Sequence, residues 1–269
     1  MAESVRIAVF GAGGKMGALI VRAIADTPGA CLVAAIERAD FSELGADASR
    51  HAGLPESGVR FQATRPAQGA ADVWIDFSAA SLAVANAGAA AQAGAAIVIG
   101  TTGISAHEKA MIASEAKKIP VVLTPNMSVG VNVLLGLVAD AARALGSAYD
   151  IEIVEAHHRA KRDAPSGTAL RLAEAVAEAT GRDLAKDARY ERHGDIGPRT
   201  ANEIGIQTIR GGDVVGDHTV FFLGQGDRIE ITHRASSRET FARGAVRAAL
   251  WVHSRAPGLY DMRDVLGLK

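Results

Sequence analysis

Short apolar runs, many of them rich in Val and Ile, alternate with Ala-rich segments along the first half of the chain. The runs predict buried strands at residues 5–10, 31–36, 73–77, 97–99 and 121–123. Segments with helical spacing of apolar residues lie between them, at 18–25, 81–93 and 106–118. Because strands that alternate with helices usually pair in parallel, this pattern predicts a parallel sheet covered by helices on both faces.

The pattern changes after residue 126. Apolar spacing predicts helices at 131–145 and 169–179 and a strand at 151–155. Three strand-like runs, IGIQTIR, DHTVFFL and RIEITHR, follow between residues 204 and 233, separated by the turn-rich sequences GGDVVG and GQGD. Short turns between consecutive strands favour antiparallel pairing, so we expect a second domain of the α+β type. A last helical pattern at 241–253 is assigned to the first domain.

Composition narrows the classes of partner. The 29 basic and 30 acidic side chains give a formal net charge of −1, which argues against nucleic acid or a membrane surface bound through bulk charge. The chain does not begin like a signal peptide, and no stretch of about 18 apolar residues is uninterrupted, so we expect a cytoplasmic protein without a membrane partner. The single cysteine, Cys31, excludes an intrachain disulfide and a Cys-rich metal site, and its apolar neighbours predict a core position.

The sequence GAGGKMG, residues 11–17, follows the first predicted strand and opens a helix. Its glycines would allow a tight turn, a close approach of the backbone to a pyrophosphate, and close packing of the helix. Met16 stands where the common GxGxxG pattern has its last glycine. A purely structural turn is the alternative, but the strand, turn and helix together predict a Rossmann-type dinucleotide-binding domain. Its candidate phosphate-binding residues are Gly11, Ala12, Gly13, Gly14, Lys15 and Met16.

Two charged residues end the second predicted strand. Glu37 lies about 20 residues beyond Gly17, where an acidic side chain can accept hydrogen bonds from the adenosine ribose. Arg38 could pair with a 2′-phosphate, so the two residues together suggest a site for NADH or NADPH. The alternative for Arg38 is a solvated surface charge.

Two further loops follow predicted parallel strands at the edge where open α/β sheets bind ligands. They are GTTG at residues 100–103 and TPNMS at 124–128. Small residues and backbone amides there would let the nicotinamide ring lie against the chain, with Asn126 fixing its carboxamide. A plain turn is the alternative for each loop. The candidate cofactor residues are Gly100, Thr101, Thr102, Thr124, Pro125, Asn126 and Met127.

The segment EAHHRAKRDAPSGTAL, residues 155–170, carries the candidate chemistry of the second domain. Adjacent residues of a strand point to opposite faces, so His157 and His158 would have different tasks. Histidine suits acid and base work near neutral pH, and a lysine nearby can donate a proton or hold an anion. His157 and Lys161 are therefore the predicted catalytic pair. A metal site is disfavoured, because adjacent histidines rarely converge on one ion and no third ligand is suitably spaced.

The end of this segment predicts an anion site. Ser166 is a good N-cap for the following helix, and the amides of Gly167 and Thr168 with the two hydroxyl groups could hold a carboxylate. The alternatives are a cap alone at Ser166 and a solvated basic loop at HHRAKR. The candidate substrate-binding residues are His158, Lys161, Ser166, Gly167 and Thr168.

These motifs, with PNMSVGVN and IRGGDVVGDHTV, occur in the order seen in the dihydrodipicolinate reductase family, which the chain closely resembles over almost its whole length. The resemblance implies NAD(P)H-dependent reduction of a small dicarboxylate, dihydrodipicolinate, to tetrahydrodipicolinate in the diaminopimelate route to lysine. It implies a cofactor domain, 1–128 plus 239–269, and a domain for substrate binding and homotetramer formation, 129–238. His157 would be the catalytic acid/base, and Lys161 a proton donor and substrate anchor.

Three positions depart from the familiar pattern of that family. Lys15 replaces arginine, Met127 replaces phenylalanine, and Ala160 stands where a third histidine can occur. The first two leave the choice between NADH and NADPH open. Two other functions are weighed against this interpretation: a different reductase or amino-acid dehydrogenase on the same architecture, and a non-catalytic redox sensor that binds dinucleotide. Neither would need the HHRAKRDAPSGTA loop with both His157 and Lys161.

Overall fold

The computed structural model describes residues 4–268. Its strands are β1 (Val5–Phe10), β2 (Ala30–Ile36), β3 (Phe61–Gln62), β4 (Val73–Asp76), β5 (Ala96–Ile99), β6 (Pro120–Leu123), β7 (Asp150–His157), β8 (Ala188–Arg189), β9 (Ile204–Arg210), β10 (Gly216–Leu223), β11 (Arg228–Ala235) and β12 (Gly258–Tyr260). Its helices are α1 (Lys15–Ala25), α2 (Ala48–His51), α3 (Ala80–Ala93), α4 (Ala106–Glu115), α5 (Val129–Leu145), α6 (Gly167–Thr180), α7 (Leu184–Asp187), α8 (Glu239–Val252) and α9 (Met262–Leu266), and a 3-10 turn spans Gly146–Ala148.

The chain divides into two units. The first comprises the residues up to Val129 together with those from Arg238 onward, and the second comprises Gly130–Ser237. In the first unit, seven strands form a parallel sheet in the order β12-β6-β5-β4-β1-β2-β3. The predicted parallel sheet is thus confirmed. The strand order reverses between β1 and β4, the point at which open sheets of this kind bind ligands.

Apolar layers cover both faces of this sheet. On one face, Ile7 and Val9 of β1 pack with Ile20 and Ile24 of α1, and α8 completes the same cluster through residues such as Val246. On the other face, the helices α3 and α4 pack through alanines and isoleucines: Ala83, Ala87, Ala90 and Ile112 are fully buried against Trp74 and Ile97. Small side chains on α3 let the helix lie close to the strands, which explains the low aromatic content.

The expectation of a core position for Cys31 is wrong, because its side chain is exposed. Strand β3 pairs only with Ala35 and Ile36 at the far end of β2. The first residues of β2 therefore have no neighbouring strand on that side, and the apolar sequence around the cysteine does not imply burial there.

The second unit contains a mixed five-stranded sheet in the order β11-β10-β7-β9-β8. Strand β10 is antiparallel to β7 and β11, whereas β9 is parallel to β7. The expected hairpin between IGIQTIR and DHTVFFL is therefore wrong, since β7 lies between the two strands. The chain reaches β9 from β7 through a long connection that contains α6, and such a crossover permits parallel pairing. The hairpin between β10 and β11 is as expected.

Helices α5 and α6 cover one face of this second sheet. Their residues Leu134, Val138, Leu172 and Val176 pack against Ile151, Ile153, Ile206 and Phe222. By length and composition alone, the stretch Val129–Ala148 is apolar enough to cross a membrane, the one such stretch among residues 4–268. The same stretch contributes to the core of the second unit, as helices of folded cores commonly do.

Candidate functional site

The glycine turn after β1 has the geometry that its sequence predicts. Gly11 has a φ of 73°, a value that only glycine adopts readily. A Cβ atom at Gly17 would lie 2.1 Å from the carbonyl oxygen of Gly11, so only glycine lets α1 begin this close to the turn. Helix α1 starts at Lys15 without a side-chain cap and without an acidic residue in its first turn. Its first amide groups and positive dipole end suit an anionic phosphate.

Gly13 also has a packing role within the protein. A Cβ atom there would lie 2.3 Å from the ring of Phe41, so the small residue makes room for this aromatic side chain. The carbonyl oxygen of Gly13 lies 3.1 Å from Nε2 of His51, whose Nδ1 lies 2.9 Å from the carboxylate of Glu43. Sequence reasoning missed Phe41 and His51, because nothing in the sequence links residues 41–51 to the turn.

Glu37 and Arg38 lie at the carboxyl end of β2, beside the glycine turn. The Glu37 carboxylate accepts a hydrogen bond of 2.9 Å from the amide of Gly13. The Arg38 guanidinium is largely exposed and pairs with Asp40 at 3.1 Å. The Glu37 side chain is thus positioned by the glycine turn, and the Arg38 side chain remains at the surface.

Phe77 connects three loops at the carboxyl edge of this sheet. Its carbonyl oxygen would lie 2.7 Å from a Cβ atom at Gly11, and its ring would lie 2.2 Å from one at Gly100. Asp76, fully buried, fixes the start of the same loop by accepting hydrogen bonds from the amide and hydroxyl of Ser78. Phe77 and Ser78 directly follow β4, which ends at Asp76, so the rule that selected the loops after β5 and β6 could also have identified them.

The loops at residues 100–103 and 124–128 lie on the same edge. Thr101 is buried and donates to the carbonyl of Asp76, whereas Thr102 is exposed. In the second loop, the Asn126 side chain accepts a 2.9 Å hydrogen bond from the amide of Ser128, and Thr124 donates to the Asn126 carbonyl. The side chain of Met127 is 2 % exposed and packs in the core, so it is not available to a ligand.

The predicted catalytic histidine lies at the end of β7 in the second unit. His157 is 8 % exposed, and its Nδ1 lies 2.5 Å from the carboxylate of Glu155, which is fully buried. Burial lowers the pKa of His157 below its ordinary value, and the Glu155 carboxylate opposes this shift without reversing it. The imidazole is therefore mostly neutral near pH 7 and can take up or give a proton at Nε2.

Lys161 lies on the loop that follows. Its ammonium group is 2.8 Å from both carboxylate oxygens of Asp163, and its amide donates to the carbonyl of His158. Hydrogen bonding to Lys161 lowers the pKa of Asp163, so this carboxylate is ionised near pH 7. His158 is half-buried beyond the end of the strand.

The start of α6 lies beside His157. Ser166 caps the helix by accepting a hydrogen bond from the amide of Ala169, which confirms its predicted role as N-cap. Its hydroxyl also lies 3.0 Å from Nε2 of His218, whose ring packs against that of His157 with centroids 5.1 Å apart. Burial, helped by the nearby His157, lowers the pKa of His218 to about 4, so this ring is neutral near pH 7. Gly167 has open space at its Cα, with no atom within 4 Å of an added Cβ.

The predicted residues thus fall into two sets. The residues proposed for a dinucleotide gather at the carboxyl edge of the parallel sheet in the first unit. The residues proposed for a substrate gather where β7 ends and α6 begins in the second unit. Sequence reasoning missed Arg210 and His218 in the second set, because they lie on the neighbouring strands β9 and β10, which only the sheet brings beside β7. It gave no role to Glu155, although that residue lies on β7 itself, because the partner that reveals the role, Arg210, lies on β9.

Known proteins resemble the chain over both units. The family description "Dihydrodipicolinate reductase, N-terminus" matches residues 5–127, and "Dihydrodipicolinate reductase, C-terminus" matches residues 130–266. The 4-hydroxy-tetrahydrodipicolinate reductase of Anaeromyxobacter dehalogenans (strain 2CP-C) is 56% identical over 265 residues, which are 98% of each chain. That of Geotalea uraniireducens (strain Rf4) is 54% identical over 267 residues, 98% of this chain and 100% of the relative.

Solved structures share the fold. A dipicolinate-bound dihydrodipicolinate reductase from Paenisporosarcina sp. TG-14 aligns with a TM-score of 0.72 at 23% identity, over 96% of this chain and 97% of that one. An amine dehydrogenase from Mycobacterium smegmatis aligns with a TM-score of 0.59 at 14% identity, over 96% and 95%. The two family matches cover nearly the whole chain, and the relatives named here are more than half identical to it. The chain belongs to the dihydrodipicolinate reductase family.

Proposed function

We propose that this chain reduces 4-hydroxy-tetrahydrodipicolinate to tetrahydrodipicolinate with NAD(P)H, using His157 and Lys161 for proton transfer and the start of α6 to bind the substrate. Membership of the family makes it an oxidoreductase of the diaminopimelate route to lysine. The observation that supports these residue roles best is the contact between His157 and the buried Glu155, next to the helix start. A histidine fixed in this way is suited to acid and base chemistry.

The first unit fits a dinucleotide. The tight turn at Gly11, the close helix start at Gly17 and the uncapped first turn of α1 suit a pyrophosphate. We propose that Glu37 accepts hydrogen bonds from the adenosine ribose and that Arg38 meets a 2′-phosphate. We propose that the cofactor also contacts residues Ala12, Gly13, Gly14, Lys15, Met16, Gly100, Thr101, Thr102, Thr124, Pro125, Asn126 and Met127. We expect the protein to accept both NADH and NADPH as the cofactor.

The second unit would bind the dicarboxylate. We propose that Lys161 and His158 hold the substrate, and that the amides of Gly167 and Thr168 hold one carboxylate at the positive end of the α6 dipole. Ser166 shapes this cradle through its cap. A related solved structure is described as dipicolinate bound, and that planar dicarboxylate resembles the proposed substrate.

The reaction would proceed after loss of the 4-hydroxyl group as water. When bound, NAD(P)H supplies a hydride to C4 of the unsaturated ring. His157, or Lys161 beside it, then delivers a proton to the carbanion that develops at C3. Positive charge at Lys161 and the helix start would stabilise the developing negative charge.

Three further properties are part of this proposal. The dinucleotide-binding domain comprises 1–128 plus 239–269, and the domain 129–238 binds substrate and forms a homotetramer. The sheet of the second unit supports the last point, because α5 and α6 pack on one face and leave Val154, Ile209 and Phe221 on the other. We also propose that the protein works in the cytoplasm, as expected for an enzyme that consumes NAD(P)H.

Loss of NAD(P)H absorbance with freshly generated substrate tests this function directly. We expect turnover in the wild type, and a fall of at least about 100-fold in kcat for His157→Gln and for Lys161→Cys, with the KM for NAD(P)H unchanged. His193→Gln, a change at an exposed histidine of the same unit, serves as the matched control. Near-normal turnover in both site variants would refute the proposed proton-transfer pair, and no turnover in the wild type would refute the substrate.

A further inference from the structure

Several hydrogen bonds in the second unit are made to the carboxylate of Glu155. It is fully buried and accepts hydrogen bonds from four residues on three segments of the chain. These donors are the guanidinium of Arg210 (two bonds of 2.8 Å), Nδ1 of His157 (2.5 Å), the amide of Ser166 (3.0 Å) and the hydroxyl of Thr208 (3.2 Å). The proposal above uses this contact as support for the role of His157 but gives Glu155 itself no role in the reaction.

The contact with His157 fixes the state of the imidazole. An ionised carboxylate only accepts hydrogen bonds, so Nδ1 of His157 must be the nitrogen that carries the hydrogen. The neutral ring then has its lone pair at Nε2, the nitrogen that would exchange protons with a substrate. Glu155 lies two residues before His157 on β7, and therefore on the same face of the strand. The orientation of the ring is set by its own strand.

The contact with Ser166 fixes the anion site. The Glu155 oxygen that accepts from the Ser166 amide holds the residue immediately before Gly167 and Thr168. These two residues provide the first amides of α6. One carboxylate therefore determines both where the proton-transfer nitrogen lies and where the helix begins.

Arg210 stabilises the buried negative charge of Glu155 and links Glu155 to the loop that carries Lys161. Burial alone would raise the pKa of Glu155, but hydrogen bonds from Arg210, His157 and Ser166 outweigh it and hold the pKa at about 2. The same guanidinium donates to the carbonyl of Asp163 at 2.6 Å, and the Asp163 carboxylate binds Lys161. Glu155 is thus always ionised near neutral pH and is tied to the loop that carries Lys161.

We propose that Glu155 is a positioning residue for the reduction: it holds His157 in the tautomer that exchanges protons at Nε2 and simultaneously fixes the start of α6 that receives the substrate carboxylate. This inference rests on the proposed function, in which His157 transfers the proton and α6 binds the substrate. Glu155 itself touches neither substrate nor cofactor. Its effect should therefore reach both kcat and the KM for the dicarboxylate, because each depends on a group that it holds.

The substitution Glu155→Gln tests the inference, because it keeps the shape and one oxygen but removes the charge. We expect kcat to fall by at least about tenfold and the KM for the dicarboxylate to rise, with the KM for NAD(P)H within about twofold of wild type. The titration of His157, followed by NMR, should move to lower pH, because the lost carboxylate raised its pKa. Loss of packing alone would not shift that titration in a defined direction.

Glu152→Gln is the matched control. Glu152 lies on the same strand and is also bound by arginines, Arg192 and Arg199, but its side chain points to the opposite face. Both kinetic constants and the His157 titration should remain close to wild type in this variant. Equal effects of the two substitutions, or wild-type kinetics and titration in Glu155→Gln, would overturn the inference.

A measurement on the unmodified protein keeps the inference testable if Glu155→Gln does not fold. The ¹⁵N chemical shifts of neutral His157 should show the hydrogen on Nδ1, and a hydrogen on Nε2 would overturn the proposed role.

Binding of pyridine-2,6-dicarboxylate, followed by calorimetry, should be weaker in Glu155→Gln than in Glu152→Gln. These readouts do not require turnover, so they separate failure of the positioning role from failure of the proposed reaction.

Discussion

Nε2 of His51 lies 3.1 Å from the carbonyl oxygen of Gly13, in the turn proposed to bind the pyrophosphate. Nδ1 of the same ring lies 2.9 Å from the carboxylate of Glu43. Both partners are acceptors, so a ring nitrogen that carries a hydrogen can donate it to the partner beside it. The rings of Phe41 and Phe61 pack edge-on against the imidazole and hold it in place. His51 therefore restrains the backbone of the glycine turn from outside.

Removing this restraint should weaken dinucleotide binding. We expect His51→Leu to raise the KM for NAD(P)H about fivefold, the equivalent of roughly 1 kcal/mol for one net hydrogen bond. The kcat at saturating cofactor should change little, because the turn regains its geometry once the ligand is bound. Steady-state kinetics with His107→Leu, an exposed histidine on α4, as the control would check this. An unchanged KM would show that the turn keeps its shape without His51.

The two helical glycines Gly17 and Gly88 should respond oppositely to a methyl group. In Gly17→Ala the Cβ would lie 2.1 Å from a backbone oxygen, so the variant should lose about 1–3 kcal/mol of unfolding free energy and bind NAD(P)H poorly. In Gly88→Ala no atom lies within 4 Å of the Cβ, so helix propensity should raise stability by about 0.5–1 kcal/mol. Urea unfolding of both variants measures the difference, and equal stabilities would contradict the tight helix start.

His218 should make the protein less stable in acid. Its pKa is about 4 in the folded chain against an ordinary 6.5, so the unfolded chain binds the proton more readily between these values. The neutral His218 ring therefore makes its full contribution to the free energy of unfolding above pH 6.5. That contribution, roughly 3 kcal/mol, is lost as the pH falls towards 4.

Denaturant unfolding at a series of pH values tests this expectation. His218→Gln should flatten the dependence between pH 6.5 and 4, whereas His193→Gln, at an exposed loop position, should keep it. If wild type and His218→Gln lost stability in parallel, the acid sensitivity would have to come from other groups.

The uncovered sheet face of the second unit predicts an effect on assembly. Ile209 is 55% exposed on β9, on the face opposite α5 and α6. A charge buried in a subunit interface is costly, so Ile209→Lys should dissociate the proposed tetramer into smaller species in analytical ultracentrifugation. Ile229→Lys places the same charge on the other face, at a residue 40% exposed, and should leave the assembly intact. A monomeric wild type would refute the tetramer itself.

The longer helices and strands and the parallel sheet follow from the sequence pattern. Runs such as residues 7–10 and 97–99 are apolar on both faces, which suits a strand buried between two layers of helices. The roles of Gly11 and Gly17 could be predicted without a structure, because glycine is the residue best suited to a tight turn and to a close helix start. The segment around His157 was identified as a candidate site in the same way, since its candidate residues lie close together in the sequence.

Which distant residues meet depends on the folding of the whole unit. Sheet order is set by packing of the whole unit, so the insertion of β7 between β9 and β10, and the exposure of Cys31, were not evident from local pattern. Glu155 was visible as a strand residue, but its partner Arg210 lies 55 residues away and reaches it only because β9 pairs with β7. Local sequence specifies the backbone conformation over a few residues, whereas a buried charge acquires its role from neighbours that the fold supplies.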